Sequence, residues 1–252
     1  MEIPNIEYKI EKPEIILSDF VERFYLVVNN SEFDKEMVVI PDGRIDLFFL
    51  LSDKEPITCT LLGLETKPSA VTFSSKIKIW GISFNLLAIE YIFNSSIANI
   101  LNNAKQLPAN FWDVTDEDLT NFKSFCNKIS NRILENLKPD IDNRKQKLFN
   151  LIYSTNGSLT VKEYSESVFW SSRQINRYFN QTFGLSLKAY CNILRFRASF
   201  QQIKEGKLFP EQNFSDQAHF TREVKKLAGV VPKELSKNKN DRFVQFSSLL
   251  KK

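Results

Sequence analysis

Two short stretches of this 252-residue chain place polar side chains on one helix face, and the side-chain types are those that meet nucleic acid. In FSDQAHFTREVKKLAGVVP (214–232), Gln217, Ala218, Thr221, Arg222 and Lys225 fall on one face, and Phe220, Val224 and Leu227 on the other. In SSRQINRYFNQTFG (171–184), Arg173, Asn176, Arg177 and Asn180 oppose Ile175, Phe179 and Phe183. Amides and hydroxyls match the donors and acceptors of base edges, and guanidinium and ammonium groups match phosphates. Either face alone reads as readily as a solvated surface, because charged outer faces are ordinary. The duplication changes that balance. Setting Gly184 on Gly229 superposes Ile175 on Phe220, Arg177 on Arg222, Phe179 on Val224 and Leu185 on Val230, so one element recurs about 45 residues apart.

Other chemistries are poorly supplied. His219 is the single histidine, which excludes a multi-histidine metal site, and no nucleophile is placed beside it by sequence. The expectation is therefore no catalysis, no metal and no cofactor. Cys59, Cys126 and Cys191 lie far apart without a CxxC spacing, which predicts free thiols in a reducing cytosol. No apolar run approaches the roughly 20 residues that span a bilayer, and the acidic start MEIPNIEYKIEKPEI lacks the apolar core of a secretion signal. A cytoplasmic protein with no membrane partner is expected. The net charge of +4 is unevenly distributed: residues 1–139 carry 14 Lys/Arg against 20 Asp/Glu, and residues 140–252 carry 20 against 10. An acidic half followed by a basic half is the footprint of polyanion binding by the second.

The elements that position these faces divide at Lys138-Pro139-Asp140, giving an N-terminal domain of 1–139 and a C-terminal domain of 140–252. The fold class predicted is α+β: a mostly antiparallel β domain with flanking helices, then an all-α domain of two helix-turn-helix units joined by a long helix. In the first half, 13–22 reads as a short helix with Ile16, Phe20 and Leu17 inward. FYLVVNN, CTLLGL, AVTFSS and KIKIWGISF read as strands, about six in all over 1–84. Met37–Ile40 and Arg44–Leu51 are predicted to form a hairpin around Pro41-Asp42-Gly43. Gly81, where the apolar parity changes, is read as a bulge or bend. Leu119, Phe122, Cys126, Ile129, Ile133 and Leu137 form one stripe on a long helix from Asp116 to Asn136, to be covered by the sheet or by a second copy of itself. Asp46 stands in an otherwise apolar strand. It either faces solvent, the reading favoured here, or lines a polar pocket; if a small ligand binds there, Phe48, Phe73, Trp80, Phe84 and Trp112 could line its cavity, although plain core is the favoured reading of these aromatics.

In the second half, Asp142, Thr160 and Ser171 are N-cap residues for helices over 143–154, 161–168 and the 171–184 face. A helix of about 20 residues, 186–205, follows. Its length of about 30 Å is close to one turn of B-DNA, about 34 Å, so a rigid rod of that kind could hold two reading helices in successive major grooves.

With S-x3-I-x-R-x-F-x3-F-G at 171–184 and F-S-D-Q-A-H-F-T-R-E with G-V-V-P at 214–232, the C-terminal half resembles the AraC/XylS family of bacterial transcription regulators over roughly 145–235. The resemblance implies a double helix-turn-helix DNA-binding domain. Arg173, Asn176 and Arg177 then fall at contacting positions of the first reading helix, and Gln217, Ala218 and Arg222 at those of the second. It also implies double-stranded DNA and RNA polymerase as partners, with the family expectation of an activator. The first half looks like a variable sensor-like domain through VIPDG-x-x-DL and G-x-x-F at 81–84, which implies a small-molecule effector or a homodimer through that domain or the 116–136 helix. The chain departs from the family pattern at Ser165 and Phe169, where Ala and Gly are usual. It departs more sharply at 207–213, where seven residues containing Pro210 stand in place of a two-turn positioning helix. The alternative is therefore a protein-interaction regulator whose shortened second unit no longer reads DNA. An enzyme fused to a DNA-binding module is a third and weaker reading. Effector, operator, sign of regulation and oligomeric state are not written in the sequence.

Overall fold

The computed structural model describes residues 6–52, 56–209, 211 and 214–248. Its N-terminal part is a six-stranded antiparallel sheet in the order β1-β2-β7-β4-β5-β8, built from β1 (Ile6–Glu11), β2 (Val21–Asn29), β4 (Ile45–Leu51), β5 (Thr58–Leu62), β7 (Lys78–Phe84) and β8 (Ala104–Leu107). A second, two-stranded sheet pairs β3 (Lys35–Val39) with β6 (Ser69–Phe73). Short helices α1 (Leu87–Tyr91) and α2 (Phe122–Asn136) follow. The rest is helical: α3 (Asn143–Ser154), α4 (Val161–Val168), α5 (Ser172–Phe183), α6 (Leu187–Ala198), α7 (Phe200–Lys204), α8 (Gln217–Ala228), α9 (Pro232–Lys237) and α10 (Val244–Ser248).

The period-2 alternation of strands gives the large sheet two unlike faces. Phe24 and Leu26 of β2, Ile45, Leu47 and Phe49 of β4, and Trp80, Ile82 and Phe84 of β7 point to one side and are buried. There α2 covers them: Phe125 meets Phe49 at 6.2 Å and Trp80 at 5.6 Å between ring centroids. The stripe of the 116–136 segment is therefore spent on the sheet, and this core continues without a break into α3, α5, α6 and α8. The other face, through Val27 and Ile79, turns toward β3 and β6, where Met37 and Phe73 close a second, smaller core.

Several expectations are corrected. Pro41-Asp42-Gly43 is not a hairpin turn: β3 pairs with β6 and β4 with β5 and β7, so the turn carries the chain from one sheet to the other. Seven strands rather than six lie before residue 85 among the described residues: the additional one is β1, whose sequence IEYKIE does alternate apolar and polar side chains. Only Ile15–Leu17 coils in the first segment, as a 3-10 turn that buries Leu17 and leaves Ile16 exposed. The 116–136 helix is two elements. A 3-10 turn, Asp116–Thr120, closes on a Thr115/Asp118 capping box, and extended Asn121 then caps α2 by accepting from the Ser124 amide. The long connecting helix also divides, at Ser199, whose hydroxyl donates to the Phe196 carbonyl at 2.6 Å. The uninterrupted α6 is thus about 18 Å long.

Gly81 is not a bulge. β7 pairs in register through it, with Tyr25 of β2 on one side and Phe48 of β4 on the other. Its glycine serves the Tyr25 ring, which lies across the strand: a Cβ at Gly81 would stand 2.1 Å from Tyr25 Cζ. Replacing Gly81 by Ala is expected to lower stability by about 1–3 kcal/mol through overpacking, measured as a shift in the urea midpoint. An unchanged midpoint would contradict this reading of the Tyr25–Gly81 contact.

Candidate nucleic-acid interface and ligand cavity

The two duplicated helices form with their capping signals in use. Ser171 accepts from the Gln174 amide while the Gln174 side chain accepts from Ser171, and Gly184 ends α5 at φ +81°. Asp216 accepts from the His219 amide at 2.7 Å and opens α8, which Gly229 ends at φ +76°. Positive φ at both stops is the reason for glycine there. Val231 and Pro232 then open α9. The buried stripes are Ile175, Phe179 and Phe183 on α5, and Phe220, Val224 and Leu227 on α8.

On the outer faces, Arg173, Arg177 and Asn180 of α5 and Gln217, Ala218, Arg222 and Lys225 of α8 are exposed, while Asn176 and Thr221 are half-buried. Among the described residues, the charged groups of Arg173, Arg177, Arg222 and Lys225 form neither an ion pair nor a hydrogen bond. Other polar groups of these faces are engaged locally. Asn176 Nδ2 donates to the Ser172 carbonyl, Asn180 Nδ2 to the Asn176 carbonyl, and Gln217 Nε2 to the Leu208 carbonyl at 2.7 Å.

The two units are supported differently. α5 follows a capped α4, whose Thr160/Glu163 box opens it and whose C-cap Phe169 takes φ +53° with its ring exposed. Before α8, the described residues 207–209, 211 and 214–216 contain no helix; Pro210 lies outside the described residues. Buried Gln202 of α7 braces this loop, donating to the Phe209 carbonyl at 2.6 Å and accepting from the Glu211 amide at 3.3 Å. Phe209 itself is exposed and supports nothing through its ring.

Three of the joints between the helical half and the first half bear on the reading helices. Glu22 of β2 accepts from Arg44 at 3.1 Å, Arg197 of α6 at 2.9 Å and Lys12 at 3.3 Å. Beside it the Tyr190 hydroxyl of α6 donates to the Gly43 carbonyl at 2.9 Å, and the Arg44 guanidinium lies 4.6 Å from the centroid of the Tyr153 ring. Burial alone would raise the Glu22 carboxyl, but Arg44, Arg197 and Lys12 outweigh it and hold the group well below the usual carboxylate range. At the second place, the Ser96 hydroxyl bonds the Gln181 and Thr182 carbonyls and the Ile97 amide donates to Thr182, which fixes the end of α5. At the third, the chain after α9 returns to β3. The Val38 amide donates to Arg242, the Ile40 amide donates to Gln245 Oε1 at 2.8 Å, and Phe246 packs on Phe200 of α7 at 5.9 Å. Phe243 and Phe246 are buried; Leu249 and Leu250 lie outside the described residues.

That return closes a cavity of about 300 Å³ between the two sheets, lined by Phe48, Leu50, Ile79, Val71 and Phe73, by Val244, Gln245 and Ser248 of α10, and by a polar group of Arg23, Tyr25, Asp46, Glu65 and Ser69. Asp46 therefore lines the cavity with Phe48 and does not face bulk solvent. Trp80 and Phe84 do not line it, because their parity on β7 sends them to the opposite face. Sequence reasoning missed Arg23, Tyr25 and Glu65. The odd-numbered positions 23, 25 and 27 on β2 and the even-numbered 46, 48 and 50 on β4 alternate against the core face, and that alternation was the available signal. Burial pushes the Asp46 carboxyl up to about 7, with Asp42 adding and Arg23 opposing. Glu65 rises to about 7, again through burial, despite accepting from Ser69 Oγ at 2.5 Å. The three cysteines are buried and unpaired, their thiols pushed up to about 12 by burial. Among the described residues there is no cluster suited to a metal ion and no helix long and apolar enough to cross a membrane.

A family model described as a domain of unknown function, DUF6597, matches residues 10–105, less than half of the chain. No curated protein matches it. Among solved structures it is similar to ToxT from Vibrio cholerae. A 1.65 Å structure of that protein shares 14% identity at a TM-score of 0.43, over 91% of this chain and 97% of the other. A second, with an unsaturated fatty acid bound, shares 13% identity at 0.41 over 94% and 97%. A third, bound to (E)-4-(8-methylnaphthalen-1-yl)but-3-enoic acid, shares 15% at 0.41 over 91% and 97%. At this level of likeness, function has to be read from the chain's own residues.

The two cavity acids set a pH dependence. Their folded pKa values near 7 exceed the ordinary carboxylate values near 4. Between those limits the folded state binds more protons than the unfolded state, so stability falls as pH rises from about 4 to about 7. Glu22 is shifted the other way, and its contribution is lost only below that window. Urea unfolding at pH 5 and pH 7 is expected to show the decline, and Asp46→Asn with Glu65→Gln to flatten it. The same slope in the double variant would refute the assignment.

Proposed function

We propose that this chain is a sequence-specific DNA-binding transcription regulator of the AraC/XylS type. In this reading residues 140–252 contact double-stranded DNA and residues 1–139 bind an effector. The observation that carries the reading is the pair of capped, solvent-facing helices α5 and α8, whose outer cations lack protein partners while Lys145, Arg144 and Arg197 of the same half are paired. Cations left unneutralised on a projecting face gain most from phosphate. Arg173, Asn176, Arg177 and Asn180 are assigned to the principal contact. Ala218, Thr221, Arg222 and Lys225 are assigned to a second contact, with Gln217 contributing less because its amide holds Leu208. RNA polymerase is the partner that such a protein would address, and the cytoplasm is where it would do so.

The cavity supports an effector role because α10 forms part of its wall and also packs, through Phe246, on α7, whose Gln202 braces the loop before α8. A molecule filling the cavity would act on α8 through these contacts. The protein-interaction alternative draws on that same loop support of α8 and predicts a DNA affinity with almost no salt dependence.

The test uses the full chain with duplexes selected from random or genomic fragments. Affinity is expected to fall steeply with log salt, and Arg177→Ala to cost about 1–3 kcal/mol on the selected site. No selectable duplex, or a salt slope near zero, would reject the DNA reading; an unaffected Arg177→Ala variant would remove that residue from it.

A further inference from the structure

The polar corner of the cavity carries more negative than positive charge, and that imbalance names a ligand class. Asp46 and Glu65 both line the wall, and Asp42 lies behind them. Among the described residues Arg23 is the one cation lining the cavity, and Asp42 already pairs with it at 3.4 Å. Opposite this corner the wall is apolar, through Phe48, Leu50, Val71 and Ile79. A carboxylate or phosphate entering here would meet two acids and an arginine that is already engaged. Resting on the effector role above, we propose that the cavity takes a small apolar molecule bearing a protonated amine, its ammonium group set against Asp46 and Glu65.

The physical reason is desolvation. Two carboxyls are buried at the polar corner of an otherwise apolar cavity, where ionising both is costly unless a further cation faces them. An ammonium group supplies the missing charge and the hydrogen-bond donors, while its hydrocarbon part fills a cavity at the small end of the usual range for ligand sites, about 300–1,000 Å³. The titratable and charged groups bearing on the two acids are Arg23 and Tyr25 on β2, Tyr8 on β1 and Asp42 before β4. Val39 of β3 and the three lining residues of α10 bring no charge to the wall. With both acids near 7, binding an amine draws protons off them, so affinity should rise with pH between about 5 and 8.

The experiment is calorimetric titration of the full chain with decylamine, decanoate and decanol, each below its micelle-forming concentration. Decylamine is expected to bind at one site at least tenfold more tightly than decanoate at pH 7.5, with the preference shrinking toward pH 5. Asp46→Asn and Glu65→Gln, singly and together, are expected to remove the preference while decanol binding and the circular-dichroism spectrum stay unchanged. Decanoate binding as well as the amine, an amine affinity indifferent to pH and to both substitutions, or no binding by any of the three would overturn the proposal. The pH series on the unaltered protein decides the matter even if a variant fails to fold. DNA affinity of the ligand-free chain is measured in parallel, so a failed titration with intact, salt-dependent DNA binding rejects the amine alone. Loss of DNA binding would instead reject the regulator reading and leave the amine result standing.

Discussion

Glu22 is the charge on which the arrangement of the two halves depends. One carboxylate, mostly removed from water, accepts from Arg44 of the same sheet and from Arg197 of α6. A carboxylate in that position is tolerable only because the guanidiniums face it, and two buried guanidiniums are tolerable only because it is there. Burial alone would lower Arg197, and the neighbouring Arg44 lowers it further, which leaves Glu22 and Asp42 to hold it charged. Such a joint contributes geometry more than net stability. It fixes where α6 lies on the sheet, and the Tyr190–Gly43 hydrogen bond beside it fixes the rotation of α6.

What α6 carries follows from that position. α5 and α8 both pack on it, so the joint at Glu22 sets the two outward faces relative to the sheet. Gly184 ends α5 where a Cβ would stand 2.9 Å from the Ala98 carbonyl oxygen, so the first unit is pressed against the N-terminal half at its stop as well. α8 is preceded by no helix among the described residues, and besides its packing on α6 it is held by Gln202, Gln217 and α9. The first unit is preceded by a helix and pressed against the N-terminal half, whereas the second is preceded by a loop tied to α7, which in turn packs on α10, part of the cavity wall. A ligand signal would reach α8 with less resistance than α5, because loop-supported elements lie at the low-stability end of a fold.

The helical half was largely legible from the chain. Thr160, Ser171 and Asp216 are local signals, read within a few residues of where they act, and each forms the cap that its position predicts. The first half was less legible because its decisive contacts are long-range. Asp46 looked like a surface charge because its partners come from β2, β7 and the turn before β4, and only the sheet order β2-β7-β4 brings the two strands beside it. Trp80 and Phe84 were grouped with Asp46 by aromatic character, although strand parity separates them. Pro41-Asp42-Gly43 has the composition of a hairpin turn, yet Asp42 is spent on Arg23 and on the Arg44 amide, and the chain crosses between sheets instead. At Asn121 and Ser199 a side chain competes for backbone groups inside an otherwise continuous apolar pattern, and periodicity alone does not register that competition.

The central claim is that α5 and α8, fixed through α6 by the joint at Glu22, are the DNA-facing elements of the molecule. Hydrogen–deuterium exchange of the full chain, with and without a selected duplex, tests it most directly. The account predicts that bound DNA slows amide exchange in the first turns of α5 and α8, more strongly in α5, and leaves β1 to β8 little changed. Protection confined to the sheet, or no protection in either helix at saturating duplex, would contradict it.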